Sequence, residues 1–151
     1  MENIVPSWPG VNSESSGIQF TSHLIDFTLT DAPLHAEWIA DTIIEEGFSV
    51  GNIDFIFCSD DFLLSVNQKH LGHNEYTDII TFPYEEDPVT GEIFISTDRV
   101  KENAKTFKTT FKNELRRVMI HGILHLCGYD DHKKSDIKKI REKEELYLSK
   151  W

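Results

Sequence analysis

The sequence predicts one domain of the α/β (α+β) class, a small mixed β-sheet flanked by helices. Two observations carry that expectation. Its 151 residues are enough to bury a core without disulfides or a structural metal. Strand-like and helix-like apolar patterns alternate as far as Ser96, and helical patterns dominate after it.

Residues 1–17 (MENIVPSWPGVNSESSG) are rich in Pro, Gly, Ser and Asn and lack periodicity. They are expected to form a weakly ordered lead-in to a domain spanning 18–151. From Ile18 to Leu29 the apolar residues partly alternate, which predicts a strand. Asp31 and Pro33 open a helix whose Leu34, Trp38 and Ile43 share a face, ending near Gly47. IDFIF, residues 53–57, reads as a short strand, and Ser59 as the N-cap of the helix DFLLSVNQKHL. A loop through Gly72, His73 and Asn74 leads into the β-rich run TDIITF. Pro83 and the acidic turn YEEDPVTG separate that run from the strand EIFIS, residues 92–96. Helical patterns follow at about 98–108, 113–127 and 135–149.

Composition narrows the class. No apolar run approaches the roughly 20 residues of a membrane span, and no basic-then-apolar segment follows Met1-Glu2. Cys58 and Cys127 are too few for a disulfide framework, so a reduced, cytoplasmic protein without membrane contact is expected. The net charge of −11 conceals an asymmetry. Thirteen of the fifteen Lys and Arg residues lie between Arg99 and Lys143, among only six acidic residues. Such a segment is either a set of solvated helix faces or a basic patch able to hold a polyanion.

Inside that segment lies HGILHLCGYDDH, residues 121–132. His121 and His125 are four helical steps apart and project from one face, a spacing that lets two imidazoles grip one ion. Satisfied core histidines share that spacing, but the continuation favours a site. Gly128 can take the left-handed conformation that ends a helix, so Asp130, Asp131 and His132 come back toward the pair. Two imidazoles and a third donor from the turn leave one position vacant, as in catalytic zinc centres. Imidazoles with a carboxylate suit zinc, with nickel or another divalent metal as lesser options. Cys127 lies about 200° around the helix from His125 and is expected in the core.

HGILHLCGYDDH resembles the HGxLHLxGYDH signature of the YbeY family of metal-dependent endoribonucleases. YTDIITFPY, GEIFIS with the following DRVKENA, and NELRRVMIHG resemble other segments of that family, so the likeness covers most of the chain after the lead-in. The resemblance implies a mixed sheet flanked by helices, with a metal site on a central helix and the turn after it. It further implies an intracellular, zinc-dependent, single-strand-specific ribonuclease acting in ribosomal RNA maturation and ribosome quality control. Its partners would be single-stranded or ribosomal RNA and the ribosomal small subunit, and no DNA is expected. Two departures stand out. The family's third histidine falls on Asp131, one residue before His132, and a family arginine is replaced by Leu71.

Spacing favours Asp131 as the third ligand, and ligand chemistry favours His132. Asp130 is a candidate proton shuttle or a solvated turn residue. Arg117, one turn before His121, is a candidate phosphate contact in place of the missing arginine, or a partner for Glu114. The glutamate of the zinc-protease HExxH helix is absent, since Gly122 holds its place. A metallohydrolase of a small phosphorylated or amide substrate and a non-enzymatic ribosome-associated RNA binder are the alternatives. His70 and His73 read as a loop pair, His23 and His35 as isolated, and Phe55, Phe57, Phe82 and Phe94 as core.

Overall fold

The structure of the protein is a computed structural model that describes residues 17–151. Apart from Gly17, the expected lead-in lies outside the described residues. The elements follow as β1 (Ile18–Ser22), α1 (Ala32–Glu45), β2 (Val50–Cys58), α2 (Asp60–Leu71), β3 (Ile79–Glu85), β4 (Val89–Ser96), α3 (Thr97–Thr106), α4 (Phe111–Leu126) and α5 (Lys134–Leu148). The four strands form one sheet in the order β1-β2-β4-β3, with β3 antiparallel and the others parallel. This is the mixed sheet the sequence predicts.

β2 and β4 are central and covered on both faces, which is why IDFIFC and EIFIS are nearly unbroken apolar runs. Their side chains alternate between two cores. Ile53, Phe55, Phe57, Ile93 and Ile95 join the main core with residues of α1, α4 and α5. Ile56, Cys58 and Phe94 face the other way, into a smaller cluster with Leu63 and Val66 of α2.

Three expectations need correction. The strand expected over 18–29 stops at Ser22, because its neighbour β2 ends at Cys58 and Ser22 already pairs with Phe57. Ile25, Phe27 and Leu29 still pack against the main core, so their alternation reports burial rather than pairing. Leu34 does not share the buried face of α1. That stripe is His35, Trp38, Ile39, Thr42 and Ile43, and Leu34 is 54% exposed. Nor does Pro83 end its strand. β3 runs on to Glu85, which a proline permits on an edge strand whose ladder is one-sided.

α4 is the helix that carries the paired histidines. Thr110 caps its start by accepting from Asn113 N, and its buried face lies on the sheet. Gly122 is the closest point of approach. A Cβ there would stand 2.8 Å from Ile79 Cδ1 and 3.2 Å from Ile93 Cγ2. Glycine at this position lets the helix settle on β3 and β4, so no helical glutamate can occupy it. The end of α4 is a Schellman turn. Gly128 takes φ 104°, its N–H donates to His125 O, and Tyr129 N–H donates to Leu124 O.

Candidate metal centre

The half-buried imidazoles of His121 and His125 face each other, with Nε2 to Nε2 at 3.0 Å. The Schellman turn returns Asp131, whose Oδ2 lies 3.3 Å from His125 Nε2 and 3.6 Å from His121 Nε2. Donor atoms about 2.0–2.1 Å from a tetrahedral ion stand about 3.3–3.4 Å apart. The three observed separations bracket that value.

The outer bonds of the histidines sharpen the test. His121 Nδ1–H donates to Glu144 Oε2 at 2.5 Å, and His125 Nδ1–H donates to the carbonyl of Tyr129 at 2.8 Å. With both Nδ1 atoms protonated for those bonds, neutral rings turn two Nε2 lone pairs toward one point. Two lone pairs 3.0 Å apart repel unless a proton or a cation lies between them. The adjoining carboxylate also calls for positive charge. The donor set therefore fits a divalent ion, held by His121, His125 and Asp131. Among the described residues, these three are the group whose donor atoms converge within 4.8 Å. His132 is not one of them, and Asp130 is exposed in the same turn.

A buried charge network backs the site. Glu144 on α5 is 2% exposed and accepts both from His121 and from Arg117 Nη1, the latter at 3.3 Å. Arg117 Nε and Nη2 donate to Glu114, at 3.0 and 2.5 Å. These bonds with Glu114, more than burial opposes, drive the Arg117 guanidinium further above its ordinary value. The Glu114 partnership is thus realised, and the fork that could grip a phosphate is engaged inside the protein. Asp78, just before β3, adds a half-buried carboxyl that accepts from Asn103 Nδ2 at 3.1 Å. Burial pushes its pKa up, against the pull of Arg117 and His121.

A second anchor holds the turn itself. The Tyr129 hydroxyl donates to Glu46 Oε1 at 2.8 Å, and Glu46 Oε2 accepts from Lys143 at 3.2 Å and from the Tyr147 hydroxyl. Glu46 sits at the C-cap of α1, so a helix that already shares the main core with α4 and α5 is also tied to the residue whose carbonyl orients His125.

The other residues singled out in the sequence stand apart from this centre. Cys127 packs against the main core, and burial pushes its thiol up to about 12. His35 is buried beside Phe20 and Trp38, and His70 packs edge-on to Phe82. Leu71 is exposed at the end of α2. Sequence reasoning misses Glu144, Glu46 and Asp78. A signal exists for Glu144: it stands between Ile140 and Tyr147 at the 4,3 spacing of a buried helix face.

Fold and site together define a small α+β domain with three converging candidate metal donors on one helix and its terminal turn. The family described as endoribonuclease YbeY matches residues 19–151. The chain is 45% identical over 125 residues to the endoribonuclease YbeY of Flavobacterium psychrophilum, covering 82% of this chain and 89% of that one. It is 44% identical over 126 residues to that of Amoebophilus asiaticus, covering 82% and 86%. The solution structure of TM1509 from Thermotoga maritima superposes with a TM-score of 0.63 at 34% identity, covering 87% of each chain. The chain belongs to the YbeY endoribonuclease family.

Proposed function

We propose that this chain is a zinc-dependent, single-strand-specific endoribonuclease of ribosomal RNA maturation and ribosome quality control, working in the cytoplasm on the small ribosomal subunit. The observation that carries the reading is the convergence of His121, His125 and Asp131, in a family named for RNA cleavage. When bound there, zinc would lower the pKa of its water to about 7 and polarise a phosphoryl oxygen. Nickel or another divalent ion would fit the same donors.

The chain's own residues do the rest. Glu144 and the Tyr129 carbonyl hold the two imidazoles in the Nδ1–H tautomer, with the Nε2 lone pairs free to ligate. Asp131 offers the third donor. Asp130, exposed beside it, is the proton carrier to the leaving oxygen. Arg117 acts as a positioning residue through Glu144, its guanidinium being shared between two carboxylates.

Purified protein tests the reading on single-stranded and double-stranded RNA, with metal removed and then restored. Cleavage should need metal and favour single strands. His121→Ala and His125→Ala should lose both metal and cleavage. Undiminished cleavage by metal-free protein overturns the reading. Asp131→Ala should cost ~10-fold or more in metal affinity, since even outer partners cost 10–100-fold. His132→Ala should keep the affinity; the reverse pattern would make His132 the ligand.

A further inference from the structure

Beyond the metal centre, the groove between the first half of α4 and the last half of α5 opens into a cleft of about 550 Å³. That volume lies within the range of small-ligand sites. Its walls carry three guanidiniums, Arg116, Arg117 and Arg141, together with the rings of Phe107 and Trp151. Of the carboxylates on its lining, Glu114 is matched by Arg117, which leaves Glu145 against Arg116 and Arg141. The guanidinium of Arg116 is held in place, stacked 4.6 Å from the Trp151 ring centre and bonded to Asn113 Oδ1 at 2.9 Å. Trp151 also packs against His35. Phe107, at the C-cap of α3, is 60% exposed, with the Arg117 guanidinium 6.0 Å from its ring centre.

Arg117 is already engaged behind the metal centre, but nothing in the metal chemistry requires Arg116, Arg141, Phe107 or Trp151. Arg116 and Arg141 supply fixed positive charge, and Phe107 supplies an open ring face, the two elements of a single-strand nucleic-acid platform. The cleft also adjoins the reaction centre. Arg117 on its wall contacts Glu144, which contacts His121, and Arg117 precedes His121 by about 6 Å of helix.

We infer that this cleft is a nucleotide subsite for single-stranded RNA, with one unpaired base stacked on Phe107 and a neighbouring phosphate held by Arg116 and Arg141. The inference rests on the RNA-cleavage reading for its substrate class. It adds a reason for strand selectivity, because a duplex keeps its base faces covered.

Binding is measured apart from cleavage, by fluorescence anisotropy of a labelled 2′-O-methyl oligoribonucleotide, single-stranded or annealed to its complement. Phe107→Ala should weaken single-strand binding about tenfold, the scale of one lost base stack, with no change in salt dependence. Arg141→Gln should weaken it and lower the slope of log affinity against log salt by about 0.7, one phosphate contact on a single strand. Phe107→Ala should leave duplex binding alone, and both variants should keep wild-type metal content. KM for RNA cleavage should rise in step with the lost affinity. If Phe107→Ala binds the single strand as wild type does, the subsite is wrong, whatever Arg141→Gln does. If zinc-loaded protein cleaves no RNA but both variants lose binding, the subsite stands and the catalytic reading fails.

Discussion

Glu144 occupies a position that the spacing of α5 reserves for an apolar side chain, and it is buried there with Arg117 and His121. Such a placement costs desolvation, and charge pairing together with hydrogen bonds must offset it. Removing either charged partner should therefore be felt twice, in stability and at the metal. Arg117→Ala leaves Glu114 and Glu144 without their shared cation. A loss of about 3–5 kcal/mol is expected in denaturant unfolding, the usual cost of breaking a buried pair. Glu144→Gln keeps an acceptor for His121 Nδ1–H, whereas Glu144→Ala removes it. Metal affinity should fall about 10–100-fold in the alanine variant and less in the glutamine variant. Equal affinities would mean that Glu144 serves the fold and not the imidazole. Gly122→Ala belongs to the same scale. Its Cβ would press on the flexible end of Ile79 and on Ile93, and overpacking of this kind costs about 1–3 kcal/mol.

Between elements, the decisive contact is the one from Glu46 to the turn after α4. Two tyrosine hydroxyls end on the same carboxylate, which provides a matched comparison. Tyr129→Phe and Tyr147→Phe each remove one hydroxyl, but Tyr129 alone also presents the carbonyl that orients His125. Tyr129→Phe is expected to lower metal affinity several-fold, and Tyr147→Phe to leave it unchanged, for a similar loss of thermal stability. A fall in both would assign the cluster a general packing role. Its pH dependence follows from Glu46. Burial alone would raise its pKa, but bonds from Tyr147, Tyr129 and Lys143 outweigh burial and lower it. The stability this contributes is present above the unfolded carboxyl value near 4.3 and is lost as pH falls through the lowered folded value. Glu46→Gln should flatten that part of the acid-unfolding curve. The sequence reveals these elements unevenly. The α4 stop is legible because Gly128 does one physical job, and Ser59 for the same reason. Leu34 misleads because one apolar residue beside a stripe looks like a member of it. The Glu46 contact is invisible, since no local pattern joins residues 83 positions apart.

At the scale of the whole molecule, the charge asymmetry acquires a shape. The segment from Arg99 to Lys143 covers most of α3, all of α4 and the first part of α5, so one stretch of chain supplies both the candidate metal donors and most of the positive charge. An acidic protein can thus present a cationic approach to a polyanion while the rest of its surface repels one. The candidate metal donors lie close in the chain, on the face of α4 and the turn leading to α5, but the bonds that orient them depend on the tertiary fold. Outer bonds extend the set to α5 and, through Tyr129, to α1. An ion that requires this arrangement binds the folded chain in preference to the unfolded one, so its free energy adds to stability. At a free zinc concentration about 100 times the dissociation constant, the gain is about 2.7 kcal/mol. For a domain of this length that corresponds to a rise of roughly 5–10 °C in Tm over chelator-treated protein. His125→Ala should remove the difference between the two conditions, and its Tm should match with zinc and with chelator. If wild-type protein melts at the same temperature in both, His121, His125 and Asp131 do not hold zinc in the folded chain.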